Sequence, residues 1–184
     1  MSQRLSRRAA RPIARQINRA PSPVIAYAAP WAFVAACSIM PTWPMIAMAP
    51  IMPPLGYMAL LAWRQLRPGL LPVWAGFPLG LVDDLFSGNP FGSALVLWSN
   101  TMIVMDIIEA RFPWRNFLTD WVAAAIFILV YLLCGLVLTT HHLYADDVLL
   151  IVPQMVISVM CYPIVGRVVG WLDRWRLMRF RVLG

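Results

Sequence analysis

The sequence predicts an all-α integral membrane protein of about six transmembrane helices. Composition, apolar runs of membrane-spanning length and one-sided basic residues carry that reading. Of 184 residues, 61% are hydrophobic and 12% charged, with a mean hydropathy of +0.71. Soluble domains carry about 25% charged residues, so this chain lacks the polar groups to cover itself in water. In lipid, apolar side chains can face outward. The length leaves room for one compact membrane domain.

The chain divides into a basic N-terminal segment (1–23), a six-helix transmembrane domain (24–170) and a basic C-terminal tail (171–184). The first segment is arginine-rich and interrupted by Pro12, Pro21 and Pro23; it forms a short surface helix over 9–20 or stays without fixed structure. The first apolar run is 24–40, followed by a turn at Pro41, Trp43 and Pro44. Run two, 45–63, contains Pro50, Pro53 and Pro54, so it is either a kinked span or a re-entrant hairpin. Run three covers 70–86 and ends in the turn signal Ser87-Gly88-Asn89-Pro90. Runs four, five and six cover 91–108, 117–140 and 148–169, with a polar loop over 141–147. A spanning helix needs about 17–25 mostly apolar residues, and these runs have that length.

Orientation follows from the basic residues, all 15 of which are arginine. With six spans and a cytoplasmic N-terminus, every arginine falls on the cytoplasmic side, and so do both termini. Five spans would break that segregation. The net charge of +7 therefore sets topology and touches anionic lipid headgroups, and nucleic acid is not an expected partner. Val34-Ala35-Ala36-Cys37 resembles a lipoprotein processing box, but membrane helix continues beyond it, so an uncleaved first span is expected. Cys37, Cys134 and Cys161 sit in apolar stretches without metal-type spacing. Tryptophans such as Trp43, Trp63, Trp114 and Trp171 lie near run boundaries, as an interfacial belt requires.

The most informative stretch runs from Gly76 to Gly92. Gly76, Gly80 and Asp84 share one helix face, with Asp83 beside it, and small residues at that spacing admit another helix closely. Both carboxylates lie at the C-terminal end of their own helix, where the dipole disfavours them. Asn89 suits an N-cap and Pro90 a first helical position, so Asp84 or Asp83 can accept N–H groups from the fourth helix. Two readings stay open for these acids: helix-end stabilisation, or contact with a partner or ligand.

Other polar residues carry less. Asp106 and Glu109 are expected to pair locally with Arg111 and Arg115, and Asn100 to hydrogen-bond a neighbouring helix. His141-His142 with Asp146-Asp147 read as a solvated loop rather than a metal site. Gly166 and Gly170 repeat the small-residue spacing weakly. No phosphate loop, nucleophile elbow or zinc-protease pattern appears, so neither an enzyme nor a cofactor is expected.

The stretch carrying Gly80, Asp84, Leu85, Ser87, Gly88, Pro90 and Gly92 resembles the rod shape-determining protein MreD family, which shows G-x-x-x-D-L-x-S/G-G-x-P-x-G at a comparable place. Chain length, helix number and the Arg67-Pro68-Gly69 approach to the third span are similar as well. The specific part covers about 17 residues; the proline-rich segment 45–54 and the long basic N-terminus depart from the family pattern. The resemblance implies a non-enzymatic component of the bacterial inner membrane within the machinery that elongates the lateral wall. It implies MreC, MreB, RodA and its penicillin-binding transpeptidase as partners. It also implies a fold similar to the substrate-binding subunits of energy-coupling-factor transporters. On this reading Gly76, Gly80, Asp83, Asp84, Gly88, Asn89, Pro90 and Gly92 form the helix-packing and partner site. The alternative is a vitamin-type transporter subunit, which needs a polar pocket between helices. A third class, an enzyme acting on lipid-linked substrates, needs a constellation of acids and bases that the sequence does not show.

Overall fold

The structure, a computed structural model, describes residues 19–20, 23–40, 52–88, 90–111, 116–139, 145–177 and 181–182. Six helices follow one another: α1 (Pro23–Ile39), α2 (Leu55–Leu66), α3 (Gly76–Phe86), α4 (Ser93–Arg111), α5 (Phe117–Thr139) and α6 (Ala145–Arg176). A 3₁₀ turn, Val73–Ala75, leads into α3, and Arg19–Ala20 pairs antiparallel with Arg181–Val182. The surface helix expected over 9–20 and the turn at Pro41, Trp43 and Pro44 lie outside the described residues, save the paired Arg19–Ala20.

Among the described residues, three stretches are long and apolar enough to cross a membrane: Ser93–Arg111, Phe117–Leu138 and Ile151–Arg176. Their outward faces carry exposed apolar rows, such as Val122, Ile126 and Val130 on α5 and Val156, Met160 and Ile164 on α6. Rows of this kind suit a lipid environment. Of the six spans expected, these three have the length and hydropathy to cross among the described residues. α1 has 17 residues, α2 12 and α3 11. At 1.5 Å per residue, α2 and α3 reach only about 17–18 Å, against a hydrocarbon core of roughly 30 Å.

The local chemistry explains the short helices. Pro54 lacks an N–H, so α2 starts after it, with the Met58 N–H donating to the Pro54 carbonyl at 3.0 Å. Gly69, at φ +84°, ends the turn after α2, and Pro72 is extended, so the third run becomes helical only near Gly76. Burial compensates for length. Every residue of α2 from Gly56 to Arg64 is buried, making it the central helix, against α1, α5 and α6. Trp63, Tyr57, Met58, Leu60 and Leu61 fill the core with Trp98 and Met102 of α4.

α6 is longer than the sixth run and extends through Arg176. It also starts at Ala145, so Asp146 and Asp147 belong to a helix rather than to the polar loop. Prolines lie inside both terminal helices, and two of the carbonyls they strand are satisfied from elsewhere. Pro30 cannot bond the Ala26 carbonyl, and Arg176 Nη1 donates to that oxygen at 2.7 Å. Pro163 cannot bond the Val159 carbonyl, and Trp121 Nε1 donates there at 3.1 Å.

These contacts fix which ends coincide. Arg67 pairs with Asp173 at 3.0 Å, and Arg176 reaches the start of α1, so the ends of α2 and α6 lie beside the beginning of α1. Arg64, Arg67, Arg111, Arg174 and Arg176 belong to this end. Arg167 sits about 14 Å further along α6, by helix rise. Ser38, Gly56, Asp83 and Asp84 gather at the opposite end.

Candidate functional site

At the acidic end, α3 and α4 are joined by a turn whose geometry depends on its residue types. Gly88 and Gly92 adopt φ +71° and +93°, the left-handed region in which a Cβ is penalised. The Ser93 N–H closes on the Pro90 carbonyl at 3.0 Å, and α4 begins only at Ser93. The helix start expected at Asn89 and Pro90 is therefore corrected for Pro90, which lies in the turn because left-handed Gly92 interrupts any helix there. Asn89 lies outside the described residues.

Asp84 performs the capping. Its Oδ2 accepts from the N–H groups of Gly92 and Leu95, each at 3.0 Å, and its Oδ1 from the Ala94 N–H at 2.8 Å. The Ser93 hydroxyl adds a contact at 3.3 Å. Asp84 is buried, and three N–H groups that α4 leaves unpaired converge on it. The positive end of the α4 dipole offsets the unfavourable end of α3.

The glycines above Asp84 bring the same two helices together. A Cβ on Gly80 would lie 2.7 Å from Leu95 Cα, and one on Gly76 2.7 Å from the Trp98 carbonyl oxygen. Both obstacles are backbone and cannot swing aside. The ridge expected to receive a partner's membrane helix is thus occupied by this chain's own α4. Gly166 and Gly170 meet nothing within 4 Å and form no such ridge here.

Asp83 points elsewhere. It is buried on the opposite side of α3, beside the hydroxyls of Ser38 and Tyr131, and Gly56 of α2 lies against both Ser38 and Asp83. This cluster lines a cavity of about 430 Å³ together with Ser87, Ser93 and Gln154, among apolar walls that include Pro54, Leu97 and Leu136. Gln154 Nε2 donates to the Met52 carbonyl at 2.7 Å. Below the cavity, Tyr57 stacks on Tyr131 at 4.2 Å and its hydroxyl meets Thr101 Oγ1 at 2.8 Å. Sequence reasoning missed Ser38, Tyr57, Tyr131 and Gln154. The available signal was that Ser38 and Gln154 are isolated polar residues in apolar runs, which default to functional or packing roles.

The remaining polar residues sit at the arginine end. Arg64 is buried and pairs across helices with Asp106 at 2.6 Å and Glu109 at 2.9 Å, while donating to the Leu71 carbonyl at 3.0 Å. Both acids thus pair with a distant arginine on α2; Arg115, one of the two neighbours expected to pair with them, lies outside the described residues. Asn100 is on the exposed face of α4, and its neighbour Thr101 makes the interhelical bond. His141 and His142 lie outside the described residues, and no group of metal-ligating side chains occurs among the described ones.

The six-helix bundle, its lipid-facing rows and its polar ends define a multi-pass helical membrane protein. No family model, no curated protein and no solved structure matches the chain.

Proposed function

We propose that this chain is an MreD-type scaffold of the bacterial inner membrane, both termini cytoplasmic, that binds MreC and couples it to wall synthesis by MreB, RodA and its transpeptidase. The observation that carries the reading is the 80–92 junction. Gly80 touches the backbone of α4, Asp84 caps that helix, and Gly88 and Gly92 take left-handed conformations. Four of the patterned positions therefore do work that few other residues can do, which supports treating the pattern as a family motif rather than a chance match.

Leu85, also in the pattern, is not used internally. It is exposed on the outer face of α3 with Phe77 and, one turn before α3, Trp74. With the glycine ridge occupied, this face is where a partner's membrane helix would seat. The experiment is co-purification of MreC with the full chain in detergent, comparing Trp74→Ala, Phe77→Ala and Leu85→Ala with Ile126→Ala and Val130→Ala. Loss of MreC in the first set alone is expected. Equal retention in both sets, or an unaltered cell shape on depletion in the source bacterium, would refute the proposal.

A second reading has one observation in its favour. The cavity beside Asp83 supplies the polar pocket that a transporter's substrate-binding subunit needs. Purified protein carrying a stoichiometric vitamin would favour it over the scaffold.

A further inference from the structure

The cavity at the acidic end is assembled from all six helices or the residues just before them, and its polar groups have a common character. Its volume, about 430 Å³, lies within the roughly 300–1,000 Å³ typical of small-molecule sites. Among its described lining residues Asp83 is the one charged group, and no described arginine joins it. The described arginines paired with acids stand at the far end of the bundle. Ser38 is 2% exposed, and its Oγ makes no hydrogen bond of acceptable geometry although it lies beside Asp83. With its proton turned toward Asp83, the Ser38 oxygen keeps lone pairs open to a donor on the cavity side. Gln154 spends one Nε2 hydrogen on the Met52 carbonyl, and its Oε1 can accept from a ligand.

The carboxylate can only accept, and the hydroxyl and amide oxygens beside it can accept as well. An anionic ligand meets a buried negative charge here with no cation to offset it. A neutral apolar ligand leaves the carboxylate without a counter-ion and offers the Ser38 oxygen no donor. A cation with N–H donors satisfies both, and the apolar remainder of the wall suits a short hydrocarbon body.

We propose that this cavity binds an ammonium group carried on an apolar body, with the Asp83 carboxylate as its counter-ion and Ser38 Oγ as a further acceptor. The proposal does not depend on the scaffold reading. A lipid headgroup and a free amine present the same chemistry, and the experiment separates them.

The full chain in detergent is melted with n-hexylammonium chloride, and in parallel with n-hexanol and n-hexanoate. The midpoint is expected to rise saturably with the ammonium and not with its isosteres. Asp83→Asn should require at least about tenfold more amine for the half-maximal shift. Gly135→Leu provides a second variant, because Gly135 lines the cavity and a Cβ there meets no atom within 4 Å; it should abolish the shift by filling the space. In nanodiscs of phosphatidylethanolamine, a raised midpoint that hexylammonium no longer increases identifies the lipid headgroup as the source. An equal response there and in phosphatidylglycerol identifies a free amine. Indistinguishable responses to hexylammonium and hexanol, or variants that respond as the parent does, would overturn the proposal.

Discussion

Arg176 donates from Nη1 to the carbonyl oxygen of Ala26, the oxygen that Pro30 leaves without a helical partner. The same guanidinium binds Asp173 through Nε at 2.8 Å and lies 5.6 Å from the Trp63 ring centroid. One side chain thereby ties the last helix to the first and the second, at the end where both termini emerge. Trp121 plays the matching part for Pro163 through the Val159 carbonyl.

That pairing gives a first prediction. Trp121→Phe strands the Val159 carbonyl and should destabilise by about 0.5–2 kcal/mol. In a Pro163→Ala background the helix can supply its own N–H to that carbonyl, so the same change should cost distinctly less. A double-mutant cycle read by denaturation in detergent measures the difference. Equal costs in the two backgrounds would show that the indole bond is incidental.

Gly80 and Gly166 should respond oppositely to alanine. At Gly80 the new methyl meets Leu95 Cα at 2.7 Å, and overpacking of this kind costs about 1–3 kcal/mol. At Gly166 it meets nothing within 4 Å, and the gain in helix propensity should leave stability unchanged or raised by up to about 1 kcal/mol. Melting midpoints of the two variants in one detergent check the contrast.

How much of this was legible in the sequence depends on the kind of signal. The three long spans follow from hydropathy, because lipid exposure acts on each residue separately. The tie between Asp84 and α4 follows from local spacing, since Asp84 and Ala94 are only ten residues apart. The shortness of α2 and α3 did not follow, because burial among other helices lets an apolar run be loop and still avoid water. The Arg64 ion pair, the proline-stranded carbonyls and the Ser38–Asp83–Tyr131 cluster join residues tens to more than a hundred positions apart. Nothing in a single sequence pairs them.

Asp84→Ala removes the acceptor from three N–H groups at the start of α4, that of Ala94 buried and those of Gly92 and Leu95 partly so. Loss of a cap and stranding of donors together should cost about 2–4 kcal/mol. Asp84→Asn keeps one carbonyl oxygen and is itself a good capping residue, so it should cost less than half as much. The order of the two melting midpoints decides the matter, and equal losses would mean that charge rather than capping carries the effect.

Arg64 contacts two acids, and exposure decides which one counts. The Asp106 side chain is 57% exposed and that of Glu109 14%. Water screens the first pair, so its coupling with Arg64 should stay below about 0.5 kcal/mol, against about 1–2 kcal/mol for the second. Double-mutant cycles of Arg64→Met with Asp106→Asn and with Glu109→Gln give both values. The reverse order would contradict the burial argument.

The segregation of charge should be visible from outside the cell. Phe91 is 72% exposed in the turn before α4, whereas the Ser87 hydroxyl is buried and makes a poor reporter. Arg174 is exposed near the end of α6, on the arginine side. With Cys37, Cys134 and Cys161 replaced by alanine, Phe91→Cys should react with an impermeant maleimide on intact spheroplasts. Arg174→Cys should react only after the membrane is opened, because guanidinium-rich ends are retained on the cytoplasmic face. Labelling of both positions from one side would mean that α4, α5 and α6 do not all cross. Labelling of Arg174→Cys alone would invert the orientation and place the Asp83 cavity on the cytoplasmic side.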